Sequence, residues 1–299
     1  MTFLNGDKET KHRVINDNCV KALHSLKTEI DLTFLDPPFN QQKEYASCAD
    51  DLPENEYWEM MREVCSQVFQ STSKGGAIYF MQREKNTEQV LRVLRETGWT
   101  FQNLIVWKKM TSAVPSQMRF GKAFQIIAYV TKGLRPRVFN RLRIEPPLLK
   151  HHKYERDNGC FVTDVWDDIR ELTSGYFAGD EAIRNSGGER FHKQQSPIAL
   201  LLRIALTSSK MGDCILDPFA GTGTTAVVAK QLNRSSISIE IDKTNVKGIE
   251  NRLSEIRQAD QIEKFYKQYI CTENLSEIWS ATPSEAKSNG KQAAALFNL

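Results

Sequence analysis

Seven short apolar segments, rich in β-branched or aromatic residues, read as buried strands. They are Val14-Ile15, Leu32 to Leu35, Ala77 to Met81, Leu104 to Trp107, Ile126 to Thr131, Cys214 to Leu216 and Ile237 to Ile241. Between several of them lie stretches of helical period: Val20 to Leu26, Tyr57 to Phe69, Thr87 to Thr97, Ile198 to Ser208, Ala226 to Leu232 and Val246 to Arg257. Antiparallel strands can close through a tight turn, whereas parallel strands need a long crossover. Strands that alternate with helices therefore predict an α/β fold, a mostly parallel seven-stranded sheet with helices on both faces.

The alternation fails between about Gly133 and Arg190. The first half of that stretch is basic, with Arg135, Arg137, Arg141, Arg143, Lys150, Lys153 and Arg156 opposed only by Glu145 and Glu155, and aromatic residues are interleaved. By default such a run is a solvated face; as part of an insert it is a candidate surface for a polyanion. The chain then divides into a first half at 1–133, the insert at 134–190, a second half at 191–280 and a small-residue polar tail at 281–299, expected to be disordered.

Composition excludes several other classes. Hydrophobic content of 40% and charged content of 26% suit a globular core, and a net charge of +3 does not by itself argue for nucleic acid. The six cysteines form no Cys-x-x-Cys pair, so reduced thiols are expected, with no disulfide framework and no metal site. No run approaches the roughly 20 apolar residues of a membrane span, and the first residues carry no signal-peptide core. The expectation is a soluble, cytoplasmic protein without a membrane partner.

Two strand ends carry the chemistry. Cys214 to Leu216 leads into Asp217-Pro218-Phe219-Ala220-Gly221-Thr222-Gly223-Thr224-Thr225 and a helix, and the following strand ends at Glu240. Glycines let a ligand approach the backbone at the carboxyl end of a parallel strand, and a carboxylate on the next strand can accept ribose hydroxyls. The turn lacks the lysine of a phosphate-binding P-loop. Gly221-x-Gly223-x-x-Ala226 keeps an NAD-dependent oxidoreductase open as an alternative, but Asp217 would repel a pyrophosphate. An acid at that point suits a cation, such as the ammonium or sulfonium of S-adenosylmethionine.

The other strand end is Asp36-Pro37-Pro38-Phe39, after Leu32 to Leu35. Two prolines make a stiff turn without N–H donors, so carbonyls around it are acceptors. The exocyclic amine of adenine or cytosine is a poor nucleophile because its lone pair is delocalised into the ring. Asp36 and the Pro37 carbonyl can hold its two hydrogens, and Phe39 can stack on the base. Attack on a sulfonium methyl is then a matter of positioning and electrostatics, on a base flipped out of duplex DNA. C5-cytosine chemistry needs a nucleophilic cysteine, usually after proline, and no Pro-Cys pair exists. A long loop, Asn40 to Pro53, follows the turn and is expected to act as a flap.

With both motifs in this order, the chain resembles the beta class of DNA amino-methyltransferases, in which the catalytic motif precedes the cofactor motif. The resemblance runs from about Val14 to Arg257. It implies a methyltransferase sheet, S-adenosylmethionine as cofactor, the insert as target-recognition element and double-stranded DNA as substrate. A cognate restriction endonuclease and a homodimer are expected partners. Asp17 would contact the cofactor adenine, although Asn16 stands where the family has glycine. Phe219 would pack on that adenine; Gly221, Thr222, Gly223, Thr224 and Thr225 would line the methionine end; Glu240 would bind the ribose. Ile105 to Lys109 and Asp164-Val165-Trp166 match further family motifs. The family string His-Pro-Thr-Gln-Lys-Pro appears as His192-Lys193-Gln194-Gln195-Ser196-Pro197, which leaves His192 and Gln195 as cofactor candidates. Aspartate at the first motif position favours adenine N6 over cytosine N4.

Overall fold

The computed structural model describes residues 10–40, 44–45, 48–49, 51–110, 115, 117–145, 158–172, 179–184, 187–188 and 195–279. The first part of the chain gives β1 (His12–Asn16), α1 (Cys19–His24), β2 (Ile30–Leu35) and a small antiparallel pair, β3 (Glu44–Tyr45) with β4 (Cys48–Ala49). Next come α2 (Glu54–Ser71), β5 (Thr72–Arg83), α3 (Thr87–Glu96), β6 (Thr100–Lys108) and β7 (Phe124–Thr131). The irregular stretch contributes β8 (Arg143–Ile144), β9 (Cys160–Phe161) and β10 (Val165–Trp166). The chain continues with α4 (Ile198–Ser208), β11 (Cys214–Asp217), α5 (Thr224–Gln231), β12 (Ser235–Glu240), α6 (Lys243–Ser254) and α7 (Leu275–Ile278). Among the described residues, no helix is long and apolar enough to cross a membrane.

One sheet of eight strands, in the order β1-β12-β11-β2-β5-β7-β6-β10, organises the molecule. Only β7 runs antiparallel to its neighbours, so the sheet is mostly parallel as expected. It has eight strands rather than seven. The added one is β10, whose Val165 and Trp166 pair with Val106 and Trp107 of β6. Two residues show no periodicity, which is why composition alone does not mark them as a strand.

Side chains alternate across both covered faces, as the strand period requires. Leu32 and Phe34 of β2, with Ala77, Tyr79 and Met81 of β5, join the core under α4 and α5. Leu35, with Ile78 and Phe80, joins the core under α1, α2 and α3, and Ile30 joins the same core because the register with β5 shifts between it and Leu32. A strand buried on both faces reads as a continuous apolar run, and this is why β2 and β5 stand out in the sequence.

The α4 helix is apolar almost all round, and it is buried almost all round. Its one cation, Arg203, donates to both carboxylate oxygens of Asp168, at 2.8 and 2.5 Å, and to the Tyr269 hydroxyl at 3.1 Å. A buried guanidinium needs such a set of acceptors. Leu142, Trp166 and Ile169 belong to the core beneath it, so the described parts of 134–190 pack into the main domain. The 281–299 tail lies outside the described residues.

The chain enters the centre of the sheet twice, at β2 and at β11, which lie side by side. From β2 it crosses through α2 to β5, on the face of the second core; from β11 it crosses through α5 to β12 on the opposite face. Connections that depart in opposite directions leave a crevice at the carboxyl ends of the two strands. Asp36 follows one and Asp217 ends the other.

Candidate active site

The turn after β11 is built around Asp217, 4% exposed. One of its oxygens accepts from the Phe219 amide at 3.1 Å, the other from the Thr225 hydroxyl at 2.6 Å. Gly223 has φ +76°, and a Cβ there would lie 2.8 Å from two side-chain carbons of Ile249, so both conformation and space demand glycine. From β12, Glu240 accepts from the Gly221 amide at 2.7 Å, the Asp242 amide at 2.9 Å and the Asn245 side chain at 3.3 Å. Thr222, Thr224 and Thr225 are buried. Arg252 braces the turn by donating to the Thr222 carbonyl at 2.6 Å.

Burial pushes the Asp217 carboxyl from 3.8 up to about 7, against the hydrogen bonds from Thr225 and Phe219, and the Glu240 charge adds to the rise. Glu240 is raised too, by burial first. Three carboxyl groups converge on this edge, Asp36 being the third. Each is raised chiefly by burial, and a cation bound among them would favour their ionised forms.

Asp36 is partly exposed by surface area, yet it lies deep enough among protein atoms that lost hydration raises its carboxyl to about 7. Ser196 donates its hydroxyl to the Asp36 Oδ2 at 3.0 Å, which opposes the rise, and the Asp217 charge reinforces it. Lys109, just after β6, lies over the Trp107 ring, its Nζ 3.1 Å from the ring centre. Lost hydration pulls Lys109 from 10.5 down to about 7, against the charges of Glu171 and Asp36.

The paired prolines are held from below. Tyr57 donates to the Pro38 carbonyl at 2.9 Å, and the fully buried Gln82 donates to the Tyr57 hydroxyl at 2.9 Å. Among the described residues nothing donates to the Pro37 carbonyl. Phe39 is 7% exposed and belongs to the same core as Phe34 and Tyr79. The loop that follows is pinned at its base, where Asn40 (φ +52°) donates to the Leu52 carbonyl at 2.7 Å.

The remaining candidates fall in different places. Asp17 is exposed at the end of β1, its carboxylate accepting from the Asn18 amide at 2.7 Å. Beside it, Asn16 donates to the Glu240 and Ile241 carbonyls, both at 3.0 Å, so the departure from glycine ties β1 to the end of β12. Phe219 is half-buried against the second core. Gln195 is turned to structure: its amide accepts from the Ile183 N–H and donates to the Glu181 carbonyl, each at 3.0 Å. His192, Lys150 and Lys153 lie outside the described residues.

Arg135 and Arg137 of the basic stretch are not brought to this edge. Arg137 pairs with Asp213 at 2.5 Å and Asp31 at 3.0 Å, just before β11 and at the start of β2. Its amide donates to Gly75 near the amino end of β5, and Arg135 lies against the same glycine. Both are therefore at the amino edge of the parallel strands, opposite Asp36 and Asp217. Arg141 and Arg143 stack on Phe161, at 4.3 and 3.8 Å.

Sequence reasoning missed Ser196, Lys109, Tyr57 and Gln82 as site residues. Lys109 had a visible signal, since it closes the Trp107-Lys108-Lys109 motif at a strand end. Ser196 had none, because its partner lies 160 residues away.

Residues 30–251, well over half of the chain, match the family model of N6 and N4 methyltransferases, described as DNA methylase. The type II methyltransferase M.HpaI of Haemophilus parainfluenzae is 31% identical over 268 residues, which cover 89% of this chain and 81% of the relative. Among solved structures, the PvuII DNA methyltransferase (cytosine-N4-specific) superposes with a TM-score of 0.60 at 17% identity, covering 90% of this chain and 97% of that one. The M1.HpyAVI complex with S-adenosylmethionine gives 0.55 at 20% identity, covering 81% and 98%. At such identities the structural likeness is one of fold.

Proposed function

The chain belongs to the N6/N4 DNA methylase family, enzymes that move a methyl group from S-adenosylmethionine to an exocyclic amino group of a DNA base, and on that premise we propose adenine N6 as the acceptor. The observation that carries the choice is Asp36 at the first position of the Asp36-Pro37-Pro38-Phe39 turn, at the sheet's switch point beside Asp217.

The donor set at the crevice fits the cofactor. Buried Asp217 and neighbouring Asp36 offer negative charge to its cationic end. Glu240 keeps acceptor capacity on Oε2, which takes only the Gly221 amide, and that atom suits a ribose hydroxyl. Asp17 and Phe219 take the adenine end, and Gly221 to Thr225 line the methionine end. The cofactor supplies an electrophilic methyl; everything else is positioning by the protein.

Ser196 holds Oδ2 of Asp36, so Oδ1 is the acceptor for one amino hydrogen and the Pro37 carbonyl for the other. This arrangement favours a more tetrahedral nitrogen with an exposed lone pair. Once the nitrogen is methylated it must lose a proton. Asp36, raised to about 7, takes that proton at neutral pH. The base reaches Asp36 flipped out of duplex DNA. A cognate restriction endonuclease, a cytoplasmic location and a homodimer complete the reading.

The test is to methylate DNA with the protein, digest it to nucleosides and identify the modified base by mass spectrometry. N6-methyladenine is the expected product; N4-methylcytosine would overturn the choice of base.

A further inference from the structure

The connection between β6 and β7 leaves the sheet at the edge that holds the active site. Strand β6 runs antiparallel to β7, which runs antiparallel to β5, and β5 is parallel to β2. The carboxyl end of β6 therefore lies on the same edge as Asp36. At this connection Met118 and Phe120 are each 96% exposed, with Arg119 between them. Two large apolar side chains held almost wholly in water mark an interaction surface when they are clustered.

The surroundings select the partner's charge. Lys85, Lys108 and Arg119 are exposed around the cluster, and Lys122 lies 2.8 Å from Glu84. Glu84, Asp167 and Glu171 are acids on this edge, and the Glu171 carboxylate accepts from the Met110 amide. Lys85, Arg119, Phe120, Lys122 and Phe124 line a cleft of about 390 Å³. Cationic side chains interleaved with exposed aromatic and thioether groups fit a polyanion that offers flat apolar faces between its charges. Duplex DNA opened at one base pair is such a partner.

We propose that Phe120 is a wedge that enters the base stack where the target base is rotated out, while Arg119 beside it in the chain holds a flanking phosphate. The proposal rests on the DNA methylase reading and goes beyond it, since it assigns the surface that holds the duplex open. It also relocates the DNA contacts from Arg135 and Arg137, on the far edge, to the edge where the chemistry takes place.

The experiment uses the full chain. The wild-type protein methylates a plasmid, sequencing locates the modified site, and synthetic duplexes carry that site either fully paired or with an abasic position opposite the target base. Phe120→Ala should slow methylation of the paired duplex roughly ten- to a hundredfold, the worth of one lost stacking contact. On the abasic duplex, where opening costs little, its rate should return to within about threefold of wild type. Phe120→Trp should keep the paired-duplex rate, and cofactor binding should be the same in all variants. Arg119→Ala should weaken DNA binding and lower its salt slope by about one.

Equal rates for Phe120→Ala and wild type on the paired duplex would overturn the proposal. So would equal impairment on both duplexes, or a change in sedimenting mass without a change in rate, which would make the patch a contact between copies of this chain. A wild-type protein that methylates no DNA at all would instead sink the underlying family reading.

Discussion

Replacing Asp217 by asparagine should stabilise the cofactor-free protein while removing its ability to bind the cofactor. Asp217 is 4% exposed, and its carboxyl is raised from 3.8 in the unfolded chain to about 7. A carboxyl raised on folding binds more protons in the native state between these two values. Stability therefore falls as pH rises through that window and is level above it. At about 1.4 kcal/mol per pH unit, the raised carboxyl costs about 2 kcal/mol at pH 5, where only the unfolded chain ionises it, and about 4 kcal/mol at pH 8, where both states do. Asparagine carries no such cost at either pH. It keeps one acceptor for the Phe219 amide but exchanges the charged acceptor facing Thr225 for an amide, a loss of about 1 to 2 kcal/mol at both pH values. The variant should thus be close to wild type at pH 5 and more stable by roughly 2 kcal/mol at pH 8. Urea unfolding of both proteins at the two pH values measures the difference. A stability difference that does not grow with pH would refute the claim that Asp217 is held in an unfavourable charged state.

Binding of S-adenosylmethionine should strengthen as pH rises from 5 towards 7, by up to about tenfold per unit as Asp217 ionises, and level off near pH 8; calorimetry across that range would show a flat profile if Asp217 does not face the cofactor's charge. Asp36→Ala should lower kcat for DNA roughly a hundred- to a thousandfold, and cofactor titration should show a far smaller change. A parallel collapse of both would place Asp36 in binding rather than chemistry. Arg137→Ala should cost about 2 to 4 kcal/mol of stability, because it strands Asp213, whose side chain is 6% exposed. Denaturation checks this, and salt-dependent DNA affinity should stay near wild type.

Much of the fold is legible along the chain. The strands β2, β5 and β7 carry apolar runs of the kind that a sheet buried on both faces uses, and α4 is apolar almost all round for the same reason. Both functional turns are also local objects. Asp217 contacts Phe219 and Thr225 within its own turn, and the conformation of Gly223 depends on a short stretch of backbone. Prolines at 37 and 38 limit their backbone without help from elsewhere. Short-range features of this kind are written in consecutive residues, so the strand-to-helix order, the glycine turn and the stiff acidic turn follow from the sequence alone.

Side-chain partners distant along the chain are another matter. Nothing near residue 196 announces that Ser196 will donate to Asp36, or that Gln195 beside it will turn to the backbone of 181 and 183. The basic run around Arg137 is the plainest case. Composition makes it a surface for phosphates, yet the topology carries it to the amino edge, where Asp31 and Asp213 pair with it. Strand direction assigns each loop to one edge of a sheet, and direction is a property of the assembled sheet rather than of any loop. The tertiary structure alone could therefore decide which cations flank the active site and which acid Ser196 would hold.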